Sequence, residues 1–406
     1  MKHFAFILLL PLLTISLPVR SVGIANKYAA IDRVTLQIPD SLTGSADGIA
    51  AYIISNFSSD EEKARAAYIW VAYNICYDVD NMYLMNFYQS KEDRIATALS
   101  TRKGICSNYA ALFNEICLKA GLKSYEIHGY TKTAGRVDYR PHAWCGVMID
   151  NEWALFDPTY GAGYIAFGEY IPRINNSYFK MPPSVAIRKY MPFDYLWQFL
   201  NYPVTSSEFN ATSSTLFLNS RVKNDDHTSK IFFNYKDTLA VYEKQSENER
   251  LPGIAYRIER NGVTNDFIFE RLRHVKVAIE MQRQNEEMLR QKEWVDLLNA
   301  AGVDFNDGVN YFNAFIKYRS NRFVPEKTDA EIQAMLDKAR SCAVEALSKI
   351  DRVNSSGSDI LKDPNLLKMM SQLVEATNEF KSAIAEHQEW LNTYFKKNET
   401  LRKLMF

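Results

Sequence analysis

Apolar residues recur along this chain with two different periods, and the change of period divides it. Tyr109, Leu112, Phe113, Ile116 and Ala120 follow one another at spacings of three and four, which predicts a helix with one apolar face. That helix opens at Cys106 and stops at Gly121, a residue free to take positive φ. Ala64, Ala67, Tyr68, Val71 and Ile75 predict an earlier helix over 61–75, announced by Ser58-Ser59-Asp60. A shorter helix is read over 45–57, and 28–39 has period-two character, as an extended arm would. Ser124 to Tyr130 alternates like a strand, and Thr131 to Arg140, polar with Gly135, reads as a loop. His142 to Ile149 and Glu152 to Asp157 read as strands joined by Asp150-Asn151, a suitable two-residue hairpin turn. Gly161, Gly163 and Gly168 make the segment after Asp157 loop-like.

The distal half changes character. Small polar residues between Val204 and Ser214 predict a boundary. Lys230–Asn234, Thr238–Tyr242, Ile254–Ile258 and Asp266–Phe269 read as short strands, hence a small β region. Beyond it the pattern is helical. Thr328 and Glu331 form a capping box ahead of a stripe through Ile332, Met335, Leu336, Ala339, Ala343, Ala346, Leu347 and Ile350. Asp363-Pro364 starts another stripe through Leu366, Met370, Leu373, Phe380, Ile384, His387 and Leu391. Such stripes are expected to form the core of a helical bundle. The expected fold is therefore α+β, with four divisions: 1–25, 26–205, 206–270 and 271–406.

The hairpin has a chemical consequence. If Ile149 pairs with Glu152, Asp157 falls opposite Trp144, and His142 shares the face of Trp144. Asp157 is then the diagonal neighbour of His142, with Cβ atoms about 7–8 Å apart. A turn longer by one residue would send the carboxylate to the other face. Cys106, in the first turn of its helix, meets the positive end of the dipole and free backbone N–H groups, both of which favour the thiolate. The expected site is Cys106 as nucleophile, His142 as base and Asp157 as its orienter. His128 lacks a suitably placed carboxylate motif and is the weaker base. Trp70 and Tyr77 are read as core, with reach to the active site as the alternative. Tyr160, Tyr164, Phe167 and Tyr170 are read as ordinary packing, with lining of a cleft as the alternative.

Composition narrows the class. The chain has 406 residues, more than one ordinary core needs, and 47% are hydrophobic. Lysine plus arginine equals aspartate plus glutamate at 48 each, so nothing in the balance suggests a nucleic-acid partner. Lys2 and His3 precede an apolar run from Phe4 to Leu17, short for a membrane span. With small residues at Gly23 and Ala25 it reads as a signal peptide over 1–25, and the mature chain is expected to be secreted or periplasmic, without stable membrane insertion. The five cysteines, Cys76, Cys106, Cys117, Cys145 and Cys342, are odd in number and irregular in spacing, unlike a disulfide or zinc framework. Cys117 and Cys145 read as buried core.

Gly104-Ile105-Cys106-Ser107-Asn108-Tyr109-Ala110, Pro141-His142-Ala143-Trp144 and Phe156-Asp157-Pro158-Thr159 together resemble the three core motifs of the transglutaminase-like superfamily. Glu62 to Val71 and Asn74 to Asp78 are similar to the helix before the catalytic cysteine in its microbial and kyphoscoliosis-peptidase-like members. Tyr178-Phe179 and Pro192 to Gln198 resemble the segment closing that domain. The resemblance implies a papain-like fold, with a helix packed on an antiparallel sheet, and a Cys-His-Asp triad at Cys106, His142 and Asp157. The expected activity is acyl transfer at an amide of a protein or peptide: a peptidase or amidase with water as acceptor, a transglutaminase with an amine. No cofactor or metal is expected. The alternative is a binding or scaffold protein on the same fold, and the C-terminal helices are a candidate for partner binding.

Overall fold

In this computed structural model the described residues are 26–83, 89–211, 232–355 and 363–406. The segment 1–25, where a signal peptide is expected, lies outside them. The chain forms two compact units, Met1–Lys276 and Val277–Phe406.

The first unit is α+β. It begins with helices α1 (Ala29–Thr35), α2 (Ala46–Asn56), α3 (Asp60–Asn74) and α4 (Lys91–Thr101). A two-residue strand, β1 (Cys76–Tyr77), pairs in parallel with β2 (Lys103–Gly104) and delivers the chain into α5 (Cys106–Lys119). The antiparallel sheet contains β3 (Ser124–Thr133), β4 (Arg136–Ile149) and β5 (Glu152–Phe156). A short helix α6 (Pro158–Ala162) follows, then a separate hairpin of β6 (Gly163–Ala166) and β7 (Glu169–Pro172), then α7 (Pro183–Ala186) and β8 (Tyr190–Pro192). The order of the main sheet is β5-β4-β3-β8.

Each early helix has a visible local cause. Ser45 caps α2 by accepting from Gly48 N–H at 3.1 Å. Ser59 and Glu62 form a reciprocal capping box at the start of α3. Gly121, at φ 84°, follows α5. Helix α5 and one face of the sheet enclose the main core, in which Phe113, Ile116, Cys117, Ala143, Cys145 and Phe156 are fully buried. The other sheet face carries Ile127, Trp144, Trp153, Leu155 and Tyr190 into a second cluster.

The arm expected over 28–39 is instead helix α1. Ile31 and Val34 pack on the main core three residues apart, and Asp32 binds the buried Arg65 through two bonds of 2.7 Å. The loop expected over 131–140 is the far end of the β3–β4 hairpin. Ala134 and Gly135 turn it at φ 50° and 81°, and its register slips between Tyr130 and Lys132.

The small β region is not present in the described part of 206–270. Residues 230 and 231 of the first expected strand lie outside the described residues. The other strands fall in helices Tyr235–Lys244, Glu247–Asn261 and Asp266–Ser320. Windows of four or five apolar residues do not separate the two periods. The decisive local signal was the capping box of Ser246 with Glu249, after which Ala255 and Ile258 are buried one turn apart. Arg257 ties this helix to Asp194 with bonds of 2.7 and 2.8 Å.

The second unit is helical. Asp329–Asn354 and Pro364–Phe395 bury the expected stripes, including Ile332, Leu336, Ala339, Ala343, Ile350, Met370, Phe380, Ile384 and Leu391. His387 packs against Phe312 and Phe315, with Nδ1 2.6 Å from Arg319. Burial, then the neighbouring guanidinium, push its pKa down.

Gly129 is a close-approach position in the sheet, paired with His142 on one side and Pro192 on the other. A Cβ there would collide with the Met191 carbonyl and sit 2.6 Å from the Trp144 ring. Gly129→Ala is expected to lower stability by about 1–3 kcal/mol, read as a shifted urea midpoint at unchanged slope.

Candidate active site

Cys106 is the first residue of α5 and is 5% exposed. The turn it sits on is bolted to its neighbours. Ile105 N–H donates to Asn108 Oδ1 at 3.0 Å, and Asn108 Nδ2 donates to the Arg94 carbonyl at 3.0 Å. Arg94 in turn donates to the Ser107 carbonyl at 3.0 Å and to the Glu126 carboxylate. Glu126 also lies 2.9 Å from His128 Nε2. Burial pushes the Glu126 pKa up, but His128 and Arg94 outweigh it and hold the carboxyl at about 2. His128 therefore does have a carboxylate, contrary to the sequence reading. It is spent in the network that anchors the start of α5.

The β4–β5 hairpin has the register the sequence predicts. Ile149 pairs with Glu152 and Cys145 with Phe156, around a turn in which Asp150 and Asn151 take φ 52° and 66°. Asp157 follows the last pair and lies on the face of Trp144 and His142. His142 Nε2 is 2.8 Å from Asp157 Oδ2. Tyr190 O–H donates to the same oxygen at 2.8 Å. Oδ1 accepts from the N–H groups of Thr159 and Tyr160, each at 3.0 Å, and so caps α6. The carboxylate is wholly buried and His142 is 5% exposed. The Tyr160 ring stacks on the imidazole at 4.4 Å and 14°.

With Nε2 committed to Asp157, Nδ1 is the nitrogen left free, and Cys106 lines the same cleft as the ring. Burial opposes a charged imidazole. The charge of Asp157 leads the opposing contributions, reinforced by its hydrogen bond and by Cys106, and the pKa of His142 stands well above its ordinary value. The residues singled out in the sequence thus come from the tip of α5, from β4 and from the cap of α6.

A cleft of about 740 Å³ opens over them. Cys106 and His142 line it with Tyr77, Tyr160, Tyr164 and Tyr170. Tyr77 was read as core and the later tyrosines as ordinary packing; the structure puts all four on the cleft wall. Phe167 stands fully exposed at the turn of the β6–β7 hairpin. Burial, followed by the nearby Cys106, raises the Tyr77 pKa to about 12, so its hydroxyl stays a donor at neutral pH. Trp70 is core, beneath the Arg102 guanidinium. Tyr190 escaped the sequence reading. It reaches Asp157 from β8, whose pairing with β3 no local spacing announces. The other cysteines stay apart from this chemistry. Cys117 is buried, which pushes its thiol pKa up, and the buried Cys145 Sγ–H donates to the Ala110 carbonyl at 3.3 Å. Cys76 is exposed and Cys342 half-buried.

Known proteins share this part of the chain. Kyphoscoliosis peptidase of Mus musculus is 30% identical over 165 residues, which is 39% of this chain and 24% of that protein. Hillarin of Drosophila melanogaster is 24% identical over 208 residues, covering 45% of this chain and 24% of its own length. The chain spans about a quarter of the length of these curated relatives. A solved structure described as a TGase is similar at 22% identity over 40% of each chain, with a TM-score of 0.23. Residues 47–158, which hold the cysteine, the histidine and the aspartate, match the model of the transglutaminase-like superfamily, and this part of the chain is a transglutaminase-like domain.

Proposed function

We propose that this protein is an exported cysteine peptidase or amidase, acting through a thioester at Cys106. The observation that carries the reading is the buried His142–Asp157 pair at 2.8 Å beside a cysteine that opens a helix, all beneath one cleft. The match of residues 47–158 to the transglutaminase-like superfamily supports the broader class, cysteine-type acyl transfer. The similarity to a protein called a peptidase favours water as acceptor.

In this mechanism the thiol proton passes to His142 Nδ1 to give a thiolate–imidazolium pair, and the Cys106 sulfur then attacks the amide carbonyl carbon. The oxyanion forms at the N-terminus of α5, where first-turn N–H groups and the Tyr77 hydroxyl offer hydrogen bonds. Collapse breaks the C–N bond, and His142 returns the proton to the departing amine. Water, deprotonated by the same imidazole, then attacks the thioester and releases the acid. A primary amine in its place would give transfer. Asp157 holds the ring in the tautomer and orientation these steps need.

Incubating the protein with a peptide and a primary amine, then weighing the products, tests the reaction. Cleaved peptide is expected. Incorporated amine would reassign the protein as a transglutaminase, and unchanged peptide would favour a binding role. Cys106→Ala should abolish turnover, by about 10³-fold or more, with the urea midpoint nearly unchanged.

Asp157→Asn removes the leading influence that raises the His142 pKa, so NMR titration should place that ring lower in the variant than in the wild type. The folded chain holds the His142 proton more tightly than the unfolded chain. Its contribution to stability is therefore full below the ordinary pKa of 6.5 and is lost as pH rises through the higher folded value. Denaturant titrations on either side of that window should show this loss in the wild type and a smaller one in Asp157→Asn.

Tyr190→Phe leaves Asp157 Oδ2 with a single donor. A loss of roughly 3- to 10-fold in kcat/KM is expected, the equivalent of about 1 kcal/mol for one hydrogen bond.

A further inference from the structure

The cleft is basic in a chain with no net charge. Arg140 and Arg173 both line it. They come from separate elements, Arg140 from the irregular stretch of β4 and Arg173 from the residue after β7. Among the described residues neither guanidinium has a carboxylate partner. Arg140 meets only the Met82 sulfur at 3.1 Å and the Tyr83 ring at 5.4 Å. Arg173 is held through its backbone N–H, which donates to the Ala162 carbonyl at 2.8 Å. Elsewhere in this unit Arg65, Arg94 and Arg257 are each paired with an acid.

Among the described residues one acidic side chain lines the cleft, that of Asp138, and it is already engaged. Its Oδ2 accepts from the hydroxyls of Thr131 and Thr133, the latter at 3.1 Å. The register slip after Tyr130 makes this possible. Pairing passes from Tyr130–Pro141 directly to Lys132–Val137, so residues 138–140 leave the ladder. A bulge beside a reactive cysteine has thus turned an acid back onto its own hairpin and left an arginine in the cleft. An unpaired guanidinium presents a planar fork of donors that matches a carboxylate.

We propose that Arg140 and Arg173 select acyl substrates that carry a carboxylate close to the attacked carbonyl. This rests on Cys106 being the nucleophile. The carboxylate has two sources, an Asp or Glu side chain beside the scissile amide or the terminal carboxylate of a peptide.

Iodoacetate and iodoacetamide differ only in that charge and report on it at Cys106 itself. In both cases the thiolate sulfur displaces iodide, forming a C–S bond as the C–I bond breaks. Alkylation rates at Cys106 are measured by mass spectrometry on the full chain, for wild type, Arg140→Gln and Arg173→Gln. The iodoacetate-to-iodoacetamide rate ratio is expected to fall roughly 3- to 10-fold in each variant, with the iodoacetamide rate nearly constant. The imidazole also attracts the anion, but equally in all three proteins. The wild-type ratio should also decline with added salt. A ratio that neither substitution changes would overturn the proposal. If Cys106 reacts with iodoacetamide no faster than a free thiol, the nucleophile reading fails instead, and the two failures are separate readouts. Protection of Cys106 from iodoacetamide then assigns the source. An acetylated Glu peptide with an amidated end is compared with an acetylated Gln peptide with a free end. Protection by neither at millimolar concentration also counts against the proposal.

Discussion

A single buried carboxylate holds the site together. Asp157 lies beneath the cleft, wholly out of solvent, where an unpaired charge would cost several kcal/mol. It meets that cost through four hydrogen bonds that occupy both oxygens: two backbone N–H groups on Oδ1, and His142 with Tyr190 on Oδ2. The four donors come from the start of α6, from β4 and from β8. The same oxygens that orient the imidazole therefore also pin the end of β5 to the outermost strand of the sheet. Structure and chemistry share these bonds, so neither can be altered at Asp157 without the other.

The thiol side of the site is built on a different principle. Cys106 belongs to a helix whose first turn is fixed by side chains reaching between elements, Asn108 to α4 and Arg94 to α5 and β3. Glu126 and His128 complete that brace on the sheet face that carries Ala143, opposite to the face of His142. Cys106 and His142 are thus positioned from the two faces of one sheet. A cysteine at a helix start needs such a brace, because terminal turns otherwise fray.

Above these groups the walls come from the tips of hairpins. The far end of β3–β4 contributes Thr133, Asp138 and Arg140, and the β6–β7 hairpin contributes Tyr164, Ile165 and Tyr170. A rigid sheet and a helix tip thus carry Cys106 and His142, while hairpin ends form the walls above them. The second unit, residues 277–406, has its own apolar cores and needs no residue of the cleft to close them.

The sequence by itself determined the local pieces and one long-range relation. The helix from Cys106 to Gly121, the capping box of Thr328 with Glu331 and the Asp150-Asn151 turn were legible because each depends on neighbours a few residues away. From that turn followed the β4–β5 register, and from the register the shared face of His142 and Asp157, since side chains alternate strictly along a strand. What only the tertiary structure decided lies where distant segments meet. No local spacing says that β8 brings Tyr190 to Asp157, that Tyr77 faces a cleft rather than the core, or that Glu126 belongs to His128 and Arg94. The short apolar windows between Thr238 and Phe269 carried both periods, and the helices they form are settled by caps and by burial within the first unit, with Arg257 seated on Asp194. The bulge that frees Arg140 is of the same kind: it arises from how β3 and β4 fit, which neither strand encodes alone.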